Sequence, residues 1–180
     1  IGLPGETDED IEAIVDIAHE VRRIGRRAQG RKSEVHVSAS TFVPKPHTVF
    51  QWEPLARPDV IERRQTYLKE HIRGRGLRFM WNDYAETRLE ALLGRGDRRL
   101  NAVVERAWRL GACFDAWRDW CNFEAWEQAI AETGLDVDAY LYRRRAEDEV
   151  FPWDHLHSGV ERAFLLRDYR RSQRGERLSD

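Results

Sequence analysis

Two hydrophobic periods meet within the first 43 residues, and their junction limits the possible folds more than any other stretch. Thr7 and Asp10 form the [ST]-x-x-[DE] capping box that opens a helix. Ile11, Ile14, Val15, Ala18, Val21 and Ile24 then recur at helical spacing, which predicts an amphipathic helix over 8–27. Asp8, Glu9, Asp10 and Glu12 lie at its start and Arg22, Arg23, Arg26 and Arg27 at its end, as the helix dipole favours. After a surface turn at Gln29 to Lys32, residues 35–43 alternate with period two. Val35, Val37, Ala39, Thr41 and Val43 share one face, and His36, Ser38, Ser40 and Phe42 the other. Residues 1–7 read as the end of a buried strand leaving through Pro4 and Gly5. Strand, helix and strand with a short return form a parallel βαβ unit, so the fold class is α/β.

A parallel strand is usually covered on both faces, which makes the polar face carrying Ser38 and Ser40 informative. It faces either the wet lumen of a ligand-carrying barrel or open solvent at a sheet edge, and the pattern leaves both open. Residues 44–58 hold four of the six prolines, Pro44, Pro46, Pro54 and Pro58, and form a stiff loop. It leaves the C-terminal end of a strand, where α/β folds keep their sites. A helix over 58–74 and a strand over 77–81 follow. From about residue 85 the pattern is helical, over 85–93, 97–111, 114–132, 136–147 and 158–173. The chain therefore divides into an α/β part, 1–83, and a mainly helical extension, 84–180, with a frayed end from Ser172.

Composition narrows the function. The 180 residues are 41% hydrophobic and include seven Trp, seven Phe and five Tyr, enough for a sizeable core rather than a disordered tail. Lys and Arg number 30 against 32 Asp and Glu, so net charge gives no sign of a nucleic-acid partner. No apolar run approaches the roughly 20 residues of a membrane span. Cys113 and Cys121 give no disulfide framework, which suggests a reducing, cytoplasmic compartment, and alone they hold neither an iron–sulfur cluster nor a structural zinc. The chain opens on Ile-Gly-Leu-Pro-Gly-Glu-Thr, which reads as the middle of a longer protein.

Two loops stand out as places for chemistry. Leu3 to Thr7 is a strand-to-helix turn, where glycine permits close approach and a helix N-terminus offers free N–H groups. Phe42 to Thr48 follows the polar-faced strand, and Pro44 and Pro46 stiffen the backbone around Lys45. Singly, each is also an ordinary connector.

Together, one helix apart, they resemble the second half of a radical S-adenosylmethionine (SAM) enzyme barrel. Gly2 to Thr7 match that family's Gly-Leu/Phe-Pro-Gly-Glu-Thr turn after its fifth strand, and Pro44, Pro46 and Thr48 match the Pro-x-Pro-x-Thr stretch after its sixth. Ser40 to Trp52, Arg95 to Leu100 and Pro152 to His155 are similar to a subgroup of uncharacterised members with an N-terminal cobalamin-binding domain. The resemblance implies the C-terminal part of a partial (β/α) barrel, of the TIM-barrel type, followed by the helical extension. It implies that Gly2, Leu3, Pro4, Gly5 and Glu6 lie near the SAM adenine and ribose. Thr41, Phe42, Val43 and Pro44 would then pack on the adenine, while Ser38 and Ser40 face the methionyl end or the substrate.

The family's C-x-x-x-C-x-x-C motif, which holds a [4Fe–4S] cluster, is absent from these residues. The cluster ligands and any cobalamin domain are expected in an N-terminal part of the same protein, which is the expected partner. On this reading the fragment alone is inactive, while the intact protein reduces SAM to a radical or transfers a methyl group through cobalamin. The alternative is a non-catalytic helical module that docks a partner domain or structured RNA. Several other groups read as structural. Trp108, Trp117, Trp120 and Trp126 fit packing between helices, Asp154 fits a helix cap beside His155 and His157, Asp97 fits a salt-bridged helix start with Arg98 and Arg99, and Arg143 to Arg145 fit a solvated helix end.

Overall fold

A computed structural model describes residues 1–176. They divide into two compact units, 1–43 with 55–87, and 44–54 with 88 onward. The expected division lay at 83/84; in the structure the proline-rich segment 44–54 groups with the second unit.

The first unit is a two-stranded parallel sheet with two helices. Its elements are α1 (Asp8–Gln29), β1 (Val35–Ala39), α2 (Pro58–His71) and β2 (Leu77–Trp81). Both halves of the capping box at Thr7 are made, and Gly30 ends α1 at φ 68°. Pro58 opens α2 within its first turn, where a missing N–H costs no helical bond. The two strands pair in register from Val35 opposite Leu77 to Ala39 opposite Trp81.

Alternation along β1 follows the sequence. Val35, Val37 and Ala39 pack with Leu77, Phe79, Ile11, Val15, Ile61 and Leu68, while His36, Ser38 and Ser40 are exposed. Both helices therefore lie on one face of the sheet, and Arg78 and Met80 continue the bare face on β2. The expected stripe on α1 is shorter than its period. Ile11, Val15 and Ala18 are buried, but Val21 and Ile24 are exposed together with Ile17.

The second unit is helical, with a 3₁₀ turn at Arg118–Trp120. Helix α3 (Tyr84–Arg95) ends in it, and α4 (Leu100–Arg109), α5 (Phe123–Thr133), α6 (Val137–Leu141) and α7 (Arg162–Gln173) follow. Several expected helices are shorter than their periods, two of them markedly. The stretch 114–132 is helical only from Phe123, capped by Asn122 Oδ1 on Ala125 N–H at 3.1 Å, and 136–147 only to Leu141. The aromatic core of this unit is Trp52, Phe151, Trp153, Leu165 and Tyr169. Ser172 and Gln173 belong to α7 rather than to a frayed end; the rest of that expectation, from residue 177, lies outside the described residues.

Three other readings change. Trp126 is 7% exposed and packs inward, but Trp108, Trp117 and Trp120 are 64%, 61% and 69% exposed and are not interhelical core. The helix expected to bury Trp117 and Trp120 does not form there. Asp154 caps no helix: it accepts the Phe151 N–H at 2.8 Å and pairs with Arg162. Arg145 is 5% exposed rather than solvated, because the segment after α6 turns back and bonds its N–H to Trp52 O at 2.9 Å.

Candidate functional site

The Gly2–Thr7 turn and the exit of β1 meet in the first unit. Ile1 N–H donates to Ser40 O at 2.7 Å, and Phe42 N–H donates to Ile1 O at 2.8 Å. One residue bonding to the two neighbours of Thr41 is the parallel-ladder pattern, with Ile1 opposite Thr41. Val35 N–H bonds to Gly76 O at 2.9 Å, so odd-numbered peptide groups of β1 face β2. Ile1 bonds to even-numbered ones and hence lies along the other edge. Among the described residues the sheet is two-stranded, and no strand covers that edge from His36 to Ser38.

Gly2 holds this junction because only glycine fits. Its φ is 87°, and a Cβ there would lie 2.8 Å from Ile61 Cδ1 and 3.2 Å from Ala56 Cβ. Gly5 shares the positive φ, at 79°, but stands in open space. Leu3 and Gly5 are exposed at the tip, with Pro4 half-buried between them.

Glu6 turns inward. Its Oε2 accepts the Gly2 N–H at 2.6 Å and Arg64 Nη1 at 2.6 Å, while Arg64 Nη2 reaches Glu6 O at 2.7 Å. Both side chains are about nine-tenths buried, so this ion pair fixes the turn against α2 instead of presenting a free carboxylate. Arg64 was not foreseen; in the sequence it is one cation among thirty, and its partner lies 58 residues away.

At the β1 exit, Thr41 is buried and its Oγ1 has no hydrogen-bond partner among the described residues. Phe42 and Val43 are half-buried. Pro44 belongs to the second unit, where it is buried and its carbonyl accepts from Arg95 Nη1 at 3.5 Å. Ser38 and Ser40 project from the bare face of β1.

These groups suit the neutral and polar parts of SAM. An adenine edge needs backbone N–H and C=O groups, a ribose needs hydroxyl partners, and Thr41 Oγ1 is an orphaned buried hydroxyl beside the glycine turn. The cluster has no such fit here. Cys113 is exposed and Cys121 half-buried, both in the second unit, and the described residues hold no group of three metal-ligating side chains.

The second unit contains a polar centre that sequence reasoning missed. Arg95, fully buried, donates to Tyr140 O, Pro44 O and Gln51 O at 3.2–3.5 Å. Gln51 Oε1 accepts from Trp153 Nε1 at 2.9 Å and from His47 N–H at 3.1 Å. Buried Glu53 accepts from Tyr169 Oη at 2.7 Å, Arg144 Nη2 at 2.9 Å and Gln173 Nε2 at 3.0 Å. Burial first, and then the bond to Glu53, raises the Tyr169 hydroxyl above the usual tyrosine range. The segments around Trp52, Arg95 and Trp153, far apart in sequence, thus share one hydrogen-bond network. Asp97 does pair with Arg99, at 2.6 Å.

No helix among the described residues is long and apolar enough to cross a membrane. No family model matches the chain, and no solved structure matches it. The chain is similar to an uncharacterised protein of Methanocaldococcus jannaschii, at 27% identity over 106 residues, 58% of this chain and 22% of that protein. It thus spans less than a quarter of the length of that relative.

Proposed function

We propose that the first unit is one wall of a SAM-binding partial (β/α) barrel, and that the chain serves within a larger radical SAM enzyme. The observation that carries this reading is the parallel bonding of Ile1 across Thr41, which sets the Gly-Leu-Pro-Gly-Glu-Thr turn beside the end of the β1 segment at Ser40 to Phe42. The uncovered edge of β1 and the exposed apolar row Ile17, Val21 and Ile24 on α1 support it, since a further strand and helix of such a barrel would bury both. SAM together with a [4Fe–4S] cluster, and in some enzymes cobalamin, supplies radical or methyl-transfer chemistry; the cluster ligands would come from the N-terminal part of the protein.

Residues of this chain bind and orient. The Glu6–Arg64 pair and Gly2 hold the turn in shape, so its backbone groups are fixed before the ligand arrives. Thr41 Oγ1 supplies a hydroxyl, and Ser38 and Ser40 present polar contacts on the bare face. The test is SAM binding by the full-length protein, measured anaerobically by equilibrium dialysis. Ser40→Leu should weaken binding about tenfold, a loss of about 1.4 kcal/mol, without changing the far-UV spectrum. Unchanged affinity in that variant refutes the assignment.

One observation favours a second reading, a helical docking module. Phe114, Trp117 and Trp120 form an exposed aromatic cluster in the second unit. Such a module would bind its partner protein equally well with or without SAM, and would lose that partner on replacing Trp117 and Trp120 by alanine.

A further inference from the structure

A cleft in the second unit sits against buried arginines, one of which, Arg145, stacks over the Phe151 and Trp153 rings but makes no ion pair with a carboxylate among the described residues. It encloses about 680 Å³, and its charged wall includes Arg99, Arg143 and Arg145 with Asp97 and Glu149. Both carboxylates are spent locally. Asp97 is paired with Arg99, and Glu149 takes both Arg143 nitrogens at 2.7 and 2.8 Å. Hydrogen bonds from these arginines hold both carboxyls below their ordinary range. The third acid of the wall, Asp136, caps α6 through the Ala139 N–H at 3.1 Å.

Arg145 differs from the other two cations. Among the described residues it has no carboxylate within ion-pair distance, its Nη2 is given to Arg95 O at 2.8 Å, and its Nε has no partner. Beside it, Arg95 bonds among the described residues only to carbonyl oxygens, and its Nη2 has no partner among them. Burial pushes the Arg95 guanidinium down to about 10 and lowers that of Arg145 as well. A buried cation without a counter-ion is costly, so an anion reaching this wall gains more than it would at solvated arginines.

We propose that this cleft binds a small molecule through its anionic oxygen group, phosphate or carboxylate, with Arg145 as the central contact and Arg143 and Arg99 at the rim. Guanidinium forks match both groups in two-point geometry. Leu135 and Val150 give the rest of the ligand an apolar wall. The proposal is independent of SAM binding, because no residue it uses belongs to the glycine turn or to β1.

The test is thermal unfolding of the full chain titrated with inorganic phosphate or with acetate, against sodium chloride at equal ionic strength. One of the two anions should raise the Tm saturably beyond chloride, and the one effective at the lower concentration identifies the group. Ala102→Glu, at an exposed position of α4 lining the cleft, should raise the apparent Kd at least about tenfold by adding a carboxylate. Glu149→Gln should lower it by freeing Arg143. Arg145→Lys keeps the charge, loses the fork and should weaken binding. The proposal is overturned if neither anion exceeds chloride, or if Ala102→Glu leaves the apparent Kd unchanged.

Discussion

At Gly2 and Gly5 the same backbone conformation meets two different surroundings, and comparing them separates strain from crowding. Both have positive φ, but only Gly2 faces the buried Ile61 and Ala56. Replacing either by alanine brings the left-handed penalty of about 1–2 kcal/mol. Gly2→Ala should cost about 1–3 kcal/mol more, because a side chain is forced into packed space. Urea denaturation of both variants measures the difference; equal midpoints would mean that the turn does not pack on α2. The neighbouring Glu6–Arg64 pair follows the same logic, since breaking a nine-tenths-buried pair strands a charge.

Among the elements, β1 shows the clearest contrast between neighbours. Val37 lies on the packed face and Ser40, three residues on, on the bare one. Val37→Asp should destabilise the first unit by several kcal/mol, because it places an unpaired charge against α1 and α2. Ser40→Leu should leave the melting temperature within about 2 °C, as expected of an exposed substitution. Circular dichroism melts decide it, and the reverse ranking would mean that the strand is turned over. The strand pairs with β2 only to Ala39 because β2 ends opposite it at Trp81; beyond that point Ser40 and Phe42 bond to Ile1 on the other edge.

Across the whole molecule, arginine–carboxylate pairs are numerous, and their effect is legible as pH dependence. Arg99 holds Asp97 below its ordinary 3.8, while Arg106, Arg170 and Arg143 hold Glu132, Glu147 and Glu149 below 4.5. A carboxyl with a lower pKa folded than unfolded contributes stability that is complete above the unfolded value and lost as pH falls through the folded one. The urea midpoint should therefore hold from pH 7 to about 5 and fall steadily towards pH 3. The double variant Asp97→Asn, Glu149→Gln should be less stable at pH 7 and flatter with pH. A wild-type midpoint unchanged at pH 3 would show that these pairs contribute nothing to folding.

Local pattern alone determined the capped α1, the two faces of β1, the stop at the prolines and the second strand at 77–81, because capping and alternation are set within a few residues. It also singled out the loops Leu3 to Thr7 and Phe42 to Thr48, one helix apart, as candidate places for chemistry, whereas the roles of Gly2 to Glu6, Ser38, Ser40 and Thr41 to Pro44 rest on the family resemblance. That Ile1 lies opposite Thr41 is a fact of strand pairing over 40 residues, which no local pattern encodes. The Glu6–Arg64 pair, the buried Arg95 and Arg145 and the exposure of Trp108, Trp117 and Trp120 are likewise tertiary results. Composition states that a chain has thirty cations and seven tryptophans, but burial depends on which distant segments return to cover them. The helical period over 114–132 failed for that reason: a period records which residues could share a face, and only packing decides whether anything meets it.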